Sequence, residues 1–109
     1  MFMPDHLHML VHGLSETADL RAFASRAKQF SAYEYSRARG QRLWQPSYYD
    51  HLVREGEDVL GFMAYIAMNP VVAGLAKRPE DYALLGSLTL GREEMLRVLR
   101  EFAPLLLLP

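Results

Sequence analysis

The alternation of residues 2–12 limits what this chain can fold into more than any other feature. Phe2, Pro4, His6, His8, Leu10 and His12 fall on one face of an extended segment. Met3, Asp5, Leu7, Met9 and Val11 fall on the other. Apolar groups on both faces predict a central β-strand, closed by Gly13. On such a strand His6 and His8 stand side by side. As cations they repel; as neutral rings they form a two-point site for a divalent metal. Asp5 is expected to face away from them. The same spacing also fits two half-buried histidines bonded to backbone.

The chain has 109 residues, half of them hydrophobic, which predicts one globular domain with a modest core. It contains no cysteine, so disulfides and thiolate metal sites are excluded. No segment reads as a signal peptide or a membrane span, and "LLLLP" at the end is too short to cross a bilayer. A cytoplasmic location is the expectation. Net charge is −1, but its distribution is uneven. Between residues 20 and 42, Arg21, Arg26, Lys28, Arg37, Arg39 and Arg42 face Glu34 alone. Such a patch can guide a phosphate backbone. A solvated helix face has the same pattern.

Three long helices and one short one are expected. The first is capped by Ser15 or Thr17 and runs to about residue 35, with Leu20, Phe23, Ala27 and Phe30 as its buried stripe. "GEDVLGFMAYIAMNP" forms the second, with Val59, Phe62, Met63 and Ile66 inward. It should stop near Asn69, because Pro70 disfavours helical geometry in the residue before it. A short helix stopped by Gly74 follows. The third covers residues 91–103, with Met95, Leu96, Leu99 and Phe102 inward. "LWQPSYY" reads as an edge strand interrupted by Pro46.

Tyr65 and Asn69 stand four apart on the second helix and share a face. Core packing and capping are their ordinary roles. Beside a metal they take on another meaning. A free phenol, with a pKa of about 10, is a poor nucleophile. A divalent cation can polarise the phosphate that it attacks. Two imidazoles, an amide and a phenol are the parts for metal-assisted attack on a phosphodiester.

These residues resemble a known family. "MPDHLHMLV" is similar to the His-x-His strand of the HUH single-tyrosine transposases. "LWQPSYYDHLVREGED" and "YIAMNPVVAGLAKRPEDY" resemble two further blocks of one branch, the REP-associated tyrosine transposases. The blocks occur in order over most of residues 3–82. The resemblance implies an α+β fold, a ferredoxin-like antiparallel sheet with helices on one face. It implies His6 and His8 as ligands of Mg²⁺ or Mn²⁺, Asn69 as a third ligand, and Tyr65 as the nucleophile. The product would be a 5′-phosphotyrosine link and a free 3′-hydroxyl. The expected partners are single-stranded or hairpin DNA, with Arg21, Lys28, Arg37, Arg39 and Arg42 as candidate DNA contacts, and a second copy in a homodimer. No membrane partner is expected.

The family's sheet has a strand, a helix and a strand before the histidine strand, whereas here that segment begins at residue 2. Residues 1–109 therefore read as one partial catalytic domain: a truncated copy, the product of a wrong start codon, or a protomer that completes its sheet by dimerisation. Two functions follow. One is a metal-dependent strand transferase. The other is an inactive remnant that only binds hairpin DNA.

Overall fold

A computed structural model describes residues 1–54 and 58–102, with helices α1 (Leu20–Arg39), α2 (Val59–Val72) and α3 (Arg92–Phe102) and one 3-10 turn, Pro79–Asp81. The described residues form two compact units, one of residues 1–10 and 53 onward, the other of residues 11–52.

The expected α+β fold does not form. Among the described residues there is no strand and no sheet, only an isolated antiparallel bridge between Phe2 and Leu7. The physical reason lies in "MPDH". Pro fixes a backbone angle suited to the second position of a turn, and Asp tolerates the third. The Met3 N–H donates to the His6 carbonyl at 2.8 Å, so Met3-Pro4-Asp5-His6 turns back on itself. The segment pairs with itself instead of a neighbouring strand. "LWQPSYY" is irregular too. Without a second strand, neither segment has a ladder to join.

In the first unit, α2 packs against α3 and against the 3-10 turn. Ala64, Ala67 and Met68 of α2 and Met95, Leu96 and Leu99 of α3 are buried, together with Met1 and Leu85. The inward face of α2 is thus built of small residues. Of the four expected there, Met63 and Ile66 pack against the core, while Val59 is half exposed. The α3 expectation holds for Met95, Leu96 and Leu99. The Phe102 side chain, Gly56 and the "LLLLP" tail lie outside the described residues.

Pro70 does not end α2. It sits inside the last turn and is fully buried, and the helix continues to Val72. Its missing N–H leaves the Ile66 carbonyl without its usual helical donor, but the turn closes beyond it. Ala73 N–H donates to the Asn69 carbonyl at 3.0 Å, and Leu75 N–H to the Pro70 carbonyl at 2.8 Å. Gly74, at φ +78°, then takes a left-handed conformation that few other residues tolerate, and the chain leaves the helix. There is no separate short helix before it.

The second unit is α1 with a strap laid along it. Asp19, not Ser15 or Thr17, caps the helix by accepting from the Ala22 N–H at 2.9 Å. Gly40, at φ 64°, closes it with a bond to the Ser36 carbonyl. The strap is held at Trp44, whose Nε1 donates to Ser31 Oγ at 2.8 Å. The expected apolar stripe stays open: Leu20, Phe23 and Phe30 are exposed, Phe30 to 71%. Burying a helix stripe takes a second layer, and residues 11–52 supply only the strap.

The core rests on Leu99, 1% exposed, set against Ala64 and Ala67. Leu99→Ala should cost about 2–5 kcal/mol in a urea unfolding experiment. Leu88→Ala, at a fully exposed site, should stay within about 0.5 kcal/mol of the parent.

Candidate active site

The hairpin of residues 1–8 brings His6 and His8 together without a sheet. After the Pro4-Asp5 turn the chain runs back past itself, and the His8 N–H donates to the Met1 carbonyl at 3.0 Å. The Met1 ammonium donates to the His8 carbonyl at 2.9 Å. The hairpin is fixed from outside at Phe2. Its N–H donates to the Leu84 carbonyl at 3.0 Å, and its carbonyl accepts from Tyr82 Oη at 2.5 Å. Arg92, the first residue of α3, holds the loop that carries Tyr82. Its guanidinium donates to the carbonyls of Glu80 at 2.9 Å and Tyr82 at 2.7 Å, and also to that of Leu85.

Within this frame the two imidazoles meet edge to face, with ring centroids 4.8 Å apart and planes at 80°. Their Nε2 atoms lie 3.1 Å apart. From α2, the Asn69 side-chain amide reaches His8 Nε2 at 3.3 Å. One turn earlier, the Tyr65 ring stands edge to face with His8 at 6.0 Å. Tyr65 is 64% exposed, so its phenol is open to a ligand from solvent. All four side chains belong to the first unit. The structure therefore brings together His6, His8, Tyr65 and Asn69, which the sequence singled out separately.

A cation bound by two nitrogens at about 2.1 Å, at angles between square and tetrahedral, sets those nitrogens about 3.0–3.4 Å apart. The observed 3.1 Å falls inside that interval. Turning the Asn69 amide by half a rotation would present Oδ1 instead of Nδ2 to the same point. The donor set thus fits a divalent cation held by two nitrogens and one oxygen. Among the described residues no three His, Cys, Asp or Glu side chains gather in a way that could hold a metal ion.

Electrostatics favour the neutral form of His8. Burial disfavours its cation, and positive charge on His6 and at the N-terminus disfavours it further, so its pKa is lowered. Asp5 was expected to point away from the histidines. Instead its Oδ1 lies 2.6 Å from His6 Nδ1. The hydrogen bond from His6, followed by its charge, lowers the Asp5 pKa. The turn that breaks the strand is also what carries Asp5 round to His6. The Pro-Asp pair was the signal in the sequence for both. Tyr82 and Arg92 carried no comparable signal, because their roles depend on carbonyls brought near them by the fold.

The candidate DNA contacts all belong to the second unit. Arg21, Lys28 and Arg42 line an open groove of about 770 Å³ along α1, with Trp44, Tyr48 and Asp50 on its walls. Arg21 and Arg42 are exposed. Lys28 is engaged within the protein: its Nζ donates to the carbonyls of Gln45 at 3.1 Å and Ser47 at 3.3 Å, and lies 5.4 Å from the centre of the Tyr48 ring. Arg37 stacks over Tyr33 at 5.5 Å, and with Arg39 it occupies the last turn of α1, where positive charge complements the helix dipole.

Two relatives support a reading of these residues. The chain is 31% identical, over 81 residues, to the REP-associated tyrosine transposase of Escherichia coli K12; the match covers 73% of this chain and 47% of that protein. It is 27% identical, over a 93-residue alignment, to a Haemophilus influenzae protein whose name assigns it provisionally to the same transposase group; that match covers 73% and 52%. The chain spans about half the length of the curated relatives it matches. No family model matches it, and neither does any solved structure. No helix among the described residues is long and apolar enough to cross a membrane.

The lowered His8 pKa has a definite sign in stability. The unfolded chain binds that proton more readily than the folded one, so protons favour unfolding. Through His8, stability should fall as pH drops from the ordinary histidine value, about 6.5, towards the lowered one, and level off below it. An NMR titration should place the His8 midpoint below the ordinary value; a midpoint above it would contradict the assignment.

Proposed function

We propose that this chain carries the catalytic core of an HUH single-tyrosine transposase, a relative of the REP-associated branch, that cuts and rejoins single-stranded or hairpin DNA. One observation carries the proposal. Tyr65 and Asn69, from α2, converge on a pair of imidazoles more than fifty residues away in sequence, with a donor set that fits a divalent cation. The names of the two relatives point the same way.

In this reading His6, His8 and Asn69 hold Mg²⁺ or Mn²⁺. Two nitrogen ligands favour Mn²⁺ over the harder Mg²⁺. When bound, the cation would supply polarisation of the scissile phosphate and offset charge that builds up on its oxygens. Tyr65 Oη attacks phosphorus. The bond from phosphorus to the tyrosine oxygen forms, and the bond to the 3′ oxygen breaks. The phenolic proton passes to solvent, and the leaving oxygen is protonated to a 3′-hydroxyl. The DNA stays linked to Tyr65 through its 5′ phosphate. Reversing these steps with another 3′-hydroxyl rejoins the strand.

The groove of the second unit suits the DNA backbone, with Arg21 and Arg42 as exposed phosphate contacts and Arg37 and Arg39 extending the basic surface. Lys28 fits a different task, holding the groove wall through Gln45 and Ser47. The reading takes the protein as a cytoplasmic homodimer. The alternative is a chain that retains hairpin DNA in this groove without cutting it. The separate placement of the basic groove, in a unit without Tyr65, allows binding to outlast catalysis.

The test is incubation of the chain with labelled hairpin oligonucleotides, with Mn²⁺ or EDTA, followed by a denaturing gel. A covalent protein–DNA product is expected with Mn²⁺ alone. It should be lost in Tyr65→Phe and fall at least about 100-fold in His6→Ala, since misplacing the reacting groups by an ångström already costs that much. Salt-sensitive retention of the hairpin with no covalent product would leave the binding reading in its place. Arg21→Ala with Arg42→Ala should weaken retention and flatten its dependence on salt.

A further inference from the structure

Asp5 is 86% exposed at the tip of the hairpin, yet its carboxylate lies 2.6 Å from His6 Nδ1. A carboxylate only accepts, so His6 Nδ1 must carry the hydrogen. In a neutral imidazole the other nitrogen then holds a lone pair. That nitrogen is Nε2, which faces His8 Nε2 at 3.1 Å, in the corner shared with the Asn69 amide. Asp5 therefore determines which nitrogen of His6 is free to act as a ligand, and which way the ring faces.

Local geometry holds Asp5 to this task. It follows Pro4, which restricts the residue before it, and the Met3 N–H donates across the reversal to the His6 carbonyl at 2.8 Å. Metal-binding histidines commonly donate their second ring N–H to a carboxylate. Loss of such a partner lowers metal affinity or activity about 10- to 100-fold.

We propose that Asp5 is a positioning residue. Through its hydrogen bond to Nδ1 it holds His6 in the Nδ1–H tautomer and turns the Nε2 lone pair toward a divalent cation shared with His8 and Asn69. This rests on the metal role given above to His6, His8 and Asn69. Asp5 is exposed and outside the core, Pro4 stays in place to direct the turn, and circular dichroism checks that each Asp5 variant keeps the fold.

The experiment pairs two readouts on the full chain near neutral pH. Long-range ¹H–¹⁵N spectra of the metal-free protein identify the protonated nitrogen of His6. Electron paramagnetic resonance of Mn²⁺ measures affinity. The parent should show Nδ1–H. Asp5→Ala should move the hydrogen towards Nε2 and weaken Mn²⁺ binding about 10- to 100-fold. Asp5→Asn, which keeps an oxygen acceptor, should preserve the tautomer and recover most of the affinity. An Asp5→Ala chain with unchanged tautomer and affinity overturns the proposal. So does an Asp5→Asn chain that behaves like Asp5→Ala, since the effect would then be one of charge alone. If the parent takes up no Mn²⁺, the metal role itself fails, and the tautomer spectra still decide whether Asp5 orients His6.

Discussion

The hydrogen bond from Tyr82 Oη to the Phe2 carbonyl ties the imidazole hairpin to the rest of its unit. A segment that would be a strand in a sheet has peptide groups to satisfy, and here no sheet satisfies them. Residues 1–8 pair partly with one another. The outward groups of Phe2 are taken by Tyr82 and Leu84. Tyr82 is in turn positioned by Arg92, whose guanidinium gathers three carbonyls of the 80–85 loop. Arg92 begins α3, and α3 is fixed by Met95, Leu96 and Leu99 in the core. The same core fixes α2, which presents Tyr65 and Asn69. Both halves of the site are thus referenced to one packed interface, although more than fifty residues separate them in sequence.

That interface depends on small side chains. Ala64 and Ala67 let α3 approach the α2 backbone closely, and large residues at those positions would hold the helices apart. Expecting the bulkiest residues of α2 to face inward placed Val59 in the core, where it is not. A buried face of alanines is hard to see in a sequence because alanine is equally at home on a helix surface. The exposed residues beside it, Tyr65 among them, follow once that face is fixed. Tyr65, 64% exposed, stands edge to face with His8 rather than in the core.

The three helices and the four side chains of the candidate site were legible in the sequence. The expected sheet was not. Alternation over residues 2–12 outweighed a Pro-Asp pair in its middle, and that pair decided the structure by turning the chain. The parity rule that placed His6 beside His8 survives locally, because both lie on the returning arm. The same rule put Asp5 on the wrong side, because it lies in the turn. The α1 stripe failed for a different reason. Periodicity identifies which side chains share a face, but only a neighbouring layer can bury them, and residues 11–52 contain none.

The geometry of the imidazole pair also sets its proton content. Two Nε2 atoms 3.1 Å apart need one hydrogen between them, since two lone pairs or two N–H groups would repel at that distance. With Nδ1 of His6 donating to Asp5, His6 Nε2 accepts that hydrogen from a neutral His8. Burial and nearby positive charge work against a second proton on His8. The pair therefore holds a single hydrogen between its two Nε2 atoms. A cation held by both nitrogens would have to displace that hydrogen.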